Sequence, residues 1–180
     1  MCAPFRVAVI TGASSRLGAS LTKSYAAKEV RVGLLGRDRR RLAETAHACE
    51  AKGAAANVAA IDVADAKVMA RWLCEFDREH PIDLLTANAG TSAGPDPDCL
   101  SEGVDLVARQ VGVNLLGAIN TIEPLLSAFC SRRRGRIAVV ASIAGDRGLP
   151  HSPGYCASKA GLRAYAEALY GHAWNPTAST

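Results

Sequence analysis

The chain has 180 residues, of which 49% are hydrophobic and 21% charged, with a formal net charge of +4. This length supports one compact core, a single domain over 1–180, and the composition excludes a disordered chain. Aromatic residues are only 5%, and the Arg-rich runs at 37–41 and 132–136 have no interleaved aromatics for base stacking, so no nucleic-acid partner is expected.

Residues 7–11 are a short apolar, β-branched run closed by Gly12, the pattern of a strand buried on both faces. Residues 17–28 follow as a helix, with Leu17, Leu21, Ser24 and Tyr25 on one face, and residues 30–35 form a second buried strand ending at Gly36. The alternation then repeats: helix 39–52, strand 55–61, helix 65–79 with Asp65 as N-cap, and strand 82–87. A Gly/Pro-rich loop at 90–97 precedes a long helical region at 100–130, a fifth strand at 136–141 and a last helix containing 161–170. This order predicts an α/β doubly wound parallel sheet of Rossmann-like type, three layers deep, with ligands at the carboxyl ends of the strands.

The six cysteines, Cys2, Cys49, Cys74, Cys99, Cys130 and Cys156, form no CxxC pair and no metal-ligand spacing with histidine. They read as reduced thiols of a cytoplasmic protein, with no metal. The N-terminus runs into a strand rather than a signal segment, and no apolar stretch is expected to reach the ~18 residues of a membrane span.

Thr11-Gly12-Ala13-Ser14-Ser15-Arg16-Leu17-Gly18 lies where the first strand turns into the first helix. Glycines there permit a tight turn and bring backbone N–H groups and a helix N-terminus to a pyrophosphate. At the end of the second strand stands Leu35-Gly36-Arg37; an Arg suits a ribose 2′-phosphate where an acid would suit a free 2′-hydroxyl, so NADP(H) is expected over NAD(H).

The glycine loop resembles the TGxxxGxG loop of short-chain dehydrogenases/reductases at Thr11, Gly12 and Gly18, while Arg16 stands where that family has its middle glycine. The resemblance extends to Asp62 and Val63 after the third strand and to Asn88-Ala89-Gly90 after the fourth. It implies cofactor binding by Thr11, Gly12, Ser14, Ser15, Arg16, Leu17, Gly18, Arg37, Asp62, Val63, Asn88, Ala89 and Gly90, with Tyr155 and Lys159. Further along, Tyr155-Cys156-Ala157-Ser158-Lys159 is similar to the family's YxASK segment, Ser142 precedes Tyr155 by the usual interval, and Asn114 matches the family's helix asparagine.

Tyr155 and Lys159, four apart, lie about one helical turn from each other, where an ammonium favours a phenolate. The resemblance implies Tyr155 as general acid in reduction and base in oxidation, Lys159 as its modulator and ribose ligand, Ser142 as donor to the substrate oxygen, and Asn114 as support for a proton relay. His151, in the loop before Tyr155, reads as an exposed loop residue. The implied activity is hydride transfer between NADP(H) and a small neutral alcohol or ketone, with pairing of copies through the regions 104–130 and 155–170 as the implied assembly. The family continues past this helix into further strands, which the tail at 171–180 does not resemble, so a C-terminally truncated member is expected, with a non-catalytic remnant that at most binds nucleotide or a partner chain as the alternative.

Overall fold

The computed structural model describes residues 5–93 and 101–173. In chain order the elements are β1 (Val7–Thr11), α1 (Arg16–Tyr25), β2 (Arg31–Gly36), α2 (Arg39–Glu50), β3 (Ala55–Ala60), α3 (Ala66–Glu79), β4 (Leu84–Ala87) and α4 (Val104–Val111). A π-helical turn (Gly112–Leu116), α5 (Gly117–Ser131), β5 (Arg136–Val139), a 3-10 turn (Ile143–Gly145) and α6 (Pro153–Ala173) follow. They divide into two compact units, Met1–Ala89 with Gly117–Val140, and Gly90–Leu116 with Ala141–Thr180.

The first unit carries the five strands found among the described residues, paired in parallel in the order β3-β2-β1-β4-β5. Strand order therefore reverses beside β1, which places the switch point at the carboxyl ends of β1 and β4. Ala8, Val9 and Ile10 of β1 and Val32, Leu34 and Leu35 of β2 are fully buried, as continuous apolar runs in a sheet covered on both sides must be. Ala8, Ile10, Val32 and Leu34 pack with Leu42, Ala46 and Cys49 of α2. On the opposite face, a Cβ at Gly33 would lie 3.0 Å from Val9 and 3.1 Å from Trp72, so the missing side chain is what admits Trp72, stacked on Phe76.

Two expectations shift here. The face of α1 that packs runs through Gly18, Thr22 and Tyr25, whereas Leu17 is 51% exposed, because the helix approaches the β1 loop on its smallest residue. The fourth strand begins at Leu84 rather than at residue 82, since the Ile82 N–H donates to the Asp77 carboxylate at 2.9 Å and closes the end of α3 instead of joining the ladder.

The second Arg-rich run is partly structural. Arg132 donates to both oxygens of the buried Asp77 at 2.7 and 2.8 Å and lies 4.6 Å from the Phe129 ring centroid, while Arg134 pairs with Asp83 at 2.8 Å. The first pair ties the segment between α5 and β5 to α3, and the second ties it to the loop that enters β4. The apolar stretch Val104–Ser131 is helical over 28 residues and long and apolar enough to cross a membrane, contrary to expectation. Within its α5 portion, Ala118, Thr121, Ile122, Leu125 and Phe129 form a buried stripe at helical spacing, and α5 packs on α3 and β4 as a core helix does.

In the second unit α6 packs on α4, on the π-helical turn and on the 3-10 turn. Glycines set these distances: a Cβ at Gly161 would lie 3.0 Å from Leu115, and one at Gly145 2.9 Å from the Lys159 carbonyl oxygen. Residues 94–97 of the expected loop, and the tail from 174 onward, lie outside the described residues.

Candidate active site

The first unit builds a cradle at the end of β1. Gly12 adopts φ 71°, and a Cβ there would lie 2.8 Å from Asn88 Nδ2 and 3.0 Å from Ala89 Cα. At Gly18 a Cβ would fall 2.1 Å from the Gly12 carbonyl oxygen, so helix and turn touch backbone to backbone. The buried Thr11 spends its hydroxyl on this closure, accepting from the N–H groups of Asn88 and Ala89 at 3.1 Å each, and Asn88 Nδ2 donates to the Thr11 carbonyl at 2.8 Å. Thr11 and Asn88 thus hold the loop's shape through each other.

The ten-residue α1 begins behind this turn with Ser15 as N-cap, but the Ser15 side chain makes no capping bond and the first turn carries no acid. N–H groups at a helix start, at the positive end of the helix dipole and not covered by their own cap, fit an anionic pyrophosphate. Ser14 is half-buried and Ser15 exposed beside them. Arg16 departs most from the family pattern: its φ is 48°, in the left-handed region that glycine occupies without strain, and its side chain is exposed.

At the neighbouring strand ends, exposed Arg37 stands 3.9 Å from the Asp62 carboxylate. Asp62 also accepts from the Ala64 N–H at 3.0 Å, and Val63 is buried, with its carbonyl receiving Asn120 Nδ2 at 2.9 Å. Asp38, next to Arg37, is committed to α2: it accepts from the Arg41 N–H at 3.0 Å and pairs with the Arg41 guanidinium at 3.3 Å.

The second unit holds the four residues expected to be catalytic, with Gly90 exposed at its start. Tyr155 lies in the first turn of α6, and Lys159, one turn on, sets its Nζ 5.9 Å from the Tyr155 ring centroid. Lys159 is only 5% exposed, and this burial pushes its ammonium pKa below the ordinary lysine value. Ser142 caps the 3-10 turn, its Oγ accepting from the Ala144 N–H at 3.2 Å, and the same turn rests through Gly145 on the Lys159 backbone. His151 is exposed with φ 60°.

Asn114 is wholly buried in the π-helical turn. Its Oδ1 accepts from the Thr91 N–H at 2.7 Å, and its Nδ2 donates to the Thr91 carbonyl at 2.9 Å and to Ser158 Oγ at 3.0 Å. Ser158 Oγ donates in turn to the Tyr155 carbonyl at 2.7 Å. Sequence reasoning assigned no role to Thr91 or Ser158; the signal for Ser158 was its place inside the Tyr155–Lys159 turn, whereas nothing local marked Thr91.

The short chain dehydrogenase family matches residues 6–175 of this chain. An uncharacterized oxidoreductase of Myxococcus xanthus is 33% identical over 166 residues, covering 92% of this chain and 65% of that protein. Among solved structures, an NAD+-bound xylitol dehydrogenase superposes with a TM-score of 0.85 at 26% identity, over 93% of this chain and 65% of its own. An alcohol dehydrogenase from the archaeon Thermococcus sibiricus, complexed with 5-hydroxy-NADP, gives 0.83 at 27% identity, over 93% of this chain and 71% of its own. The chain thus spans about 65% of the length of the first two of these proteins. A match over nearly the whole sequence, on a parallel sheet whose strand order reverses beside β1, makes the protein a member of the short-chain dehydrogenase family.

Proposed function

We propose that the chain is one NAD(P)-binding domain of an oxidoreductase that interconverts a small neutral alcohol and its ketone with NADP(H). The observation that carries this is the Tyr155–Lys159 pair on one turn of α6, with the buried ammonium 5.9 Å from the phenol ring. A bound reduced nicotinamide supplies hydride in such chemistry. Tyr155 then gives its phenolic proton to the oxygen that gains charge, and takes one back in the oxidative direction. Lys159 stabilises the negative charge left on the phenolic oxygen, its ammonium being little screened by water at that depth. Ser142 Oγ already accepts from Ala144, which leaves its own proton to donate to the substrate oxygen. Asn114 spends its amide on Thr91 and Ser158, and so holds the turn from which a proton relay through Lys159 runs.

The cofactor preference rests on Arg37. Its 3.9 Å pairing with Asp62 joins two groups whose side chains are 60% and 44% exposed, a weak contact that a 2′-phosphate displaces. Asp38, the acid nearest by, is held as the cap of α2 and is not free for a ribose hydroxyl. The unbridged, exposed Cys74 and Cys130 suit a reducing, cytoplasmic setting, and pairing of copies through α4, α5 and α6 belongs to the same proposal.

Calorimetric titration with NADPH and with NADH, followed by a carbonyl-substrate screen on wild type and Tyr155→Phe, tests it. We expect micromolar NADPH binding, at least about tenfold weaker NADH binding, and turnover lowered about 10²-fold or more by the substitution. Nucleotide binding without turnover would favour the non-catalytic alternative, to which the strained Arg16 points, and a folded chain that binds neither nucleotide would overturn the proposal.

A further inference from the structure

Glu102 is a carboxylate only 8% exposed, placed ahead of α4, and it faces the start of α6. Its Oε2 accepts from the Gly154 N–H at 2.7 Å, and its Oε1 accepts from Gln110 Nε2 at 3.1 Å. Gln110, wholly buried on α4, also donates to the Ala93 carbonyl at 2.8 Å, while its own Oε1 has no hydrogen-bond partner. Gly154 is the second residue of α6, whose first turn has no acid of its own. One of the unpaired donors of that helix start is therefore satisfied by a side chain 52 residues away in sequence.

The contact is close. A Cβ at Gly154 would lie 3.0 Å from Glu102 Oε2 and 3.1 Å from Val107 Cα, so α6 meets α4 here without an intervening side chain. Tyr155 follows directly. Its peptide is thus held from both sides: Gly154 N–H by the Ala93–Gln110–Glu102 line, and the Tyr155 carbonyl by the Thr91–Asn114–Ser158 line. Both lines start within the segment 91–93 and pass through residues one turn apart, Gln110 and Asn114.

We infer that Glu102 is a positioning residue for Tyr155: through Gly154 it fixes the backbone from which the phenol is presented, and through Gln110 it couples that backbone to the loop after β4. This rests on Tyr155 being the proton donor. A misplacement of about 1 Å in a reacting group costs on the order of 10²-fold in rate, so a backbone anchor one residue away bears on turnover more than on cofactor affinity.

The test compares wild type, Tyr155→Phe, Glu102→Ala and Glu102→Gln in steady-state carbonyl reduction with NADPH and in amide hydrogen exchange over residues 153–158. Glu102→Gln keeps an acceptor for the Gly154 N–H and gives up only the acceptor that faces Gln110 Nε2. We expect Glu102→Ala to lower kcat about tenfold or more with KM for NADPH within about twofold, and Glu102→Gln to recover most of kcat. Exchange at 154–156 should rise about tenfold in the alanine variant and return towards wild type in the glutamine variant. A Glu102→Ala kcat within about twofold of wild type, or equal losses in both variants, overturns the inference while Tyr155→Phe independently judges the proton donor. If no variant turns over, unchanged exchange overturns it. If Glu102→Ala does not fold, Gln110→Met, which cuts only the amide link, is read by the same two measures.

Discussion

Arg16 holds φ 48° at the entrance to α1, where an L side chain crowds its own carbonyl and glycine does not. Arg16→Gly should therefore raise unfolding free energy by up to about 1 kcal/mol, read by urea denaturation, and should not weaken NADPH binding. Unchanged or lowered stability would show that the exposed Arg16 side chain contributes more than its backbone costs. Lys159 makes the opposite exchange. Burial pushes its pKa down, so the charged form is penalised in the folded state; stability is held back below the folded pKa and recovers as pH rises through it. Lys159→Met should remove that rise of stability with pH and lower carbonyl turnover by about 10²-fold or more, read by thermal denaturation across alkaline pH and by steady-state assay.

At the level of elements, α1 and the β1 turn meet at Gly18, where a Cβ would stand 2.1 Å from the Gly12 carbonyl oxygen. No rotamer relieves a backbone clash. Gly18→Ala should lower stability by about 1–3 kcal/mol and weaken NADPH binding more than tenfold, because moving α1 also moves its uncapped N-terminus. Alanine tolerated with unchanged affinity would place the anion elsewhere. The same close approach explains why the packed face of α1 was only partly read: periodicity put Tyr25 on it, as found, but favoured the larger Leu17, where Gly18 and Thr22 are the buried residues. Periodicity did find the alternation of strands and helices, and Asp65 as the cap of α3, where it accepts from the Val68 N–H at 3.1 Å.

Over the whole molecule, pH acts on the sheet through Asp83, which leads into β4. Burial alone would raise its pKa; the N–H groups of Arg6 and Val7, at 2.8 and 3.0 Å, and the Arg134 guanidinium at 2.8 Å outweigh that and hold the carboxyl below its usual range. A depressed carboxylate pKa contributes stability fully present above the ordinary carboxylate range of about 4, and lost as pH falls through the folded value. Asp83→Asn should cost about 1–3 kcal/mol at pH 7 and flatten the acid limb of a stability profile. Parallel profiles for the two proteins would mean that other carboxylates carry that limb.

From sequence alone, the alternation of elements, the glycine turn and the Tyr155–Lys159 turn were legible, because each depends on residues within one or two turns of one another, and the parallel sheet followed from that alternation. The strand order is a tertiary fact, as are the pairing of Arg132 with buried Asp77 and the two hydrogen-bonded lines that end on either side of Tyr155. The links that close them reach far along the chain: 23 positions between Thr91 and Asn114, 52 between Glu102 and Gly154 and 55 between Asp77 and Arg132. Side-chain periodicity carries no information across such distances; only the folded backbone brings a buried carboxylate to a distant N–H and so decides which polar groups are satisfied, which are held in place and which are left to act.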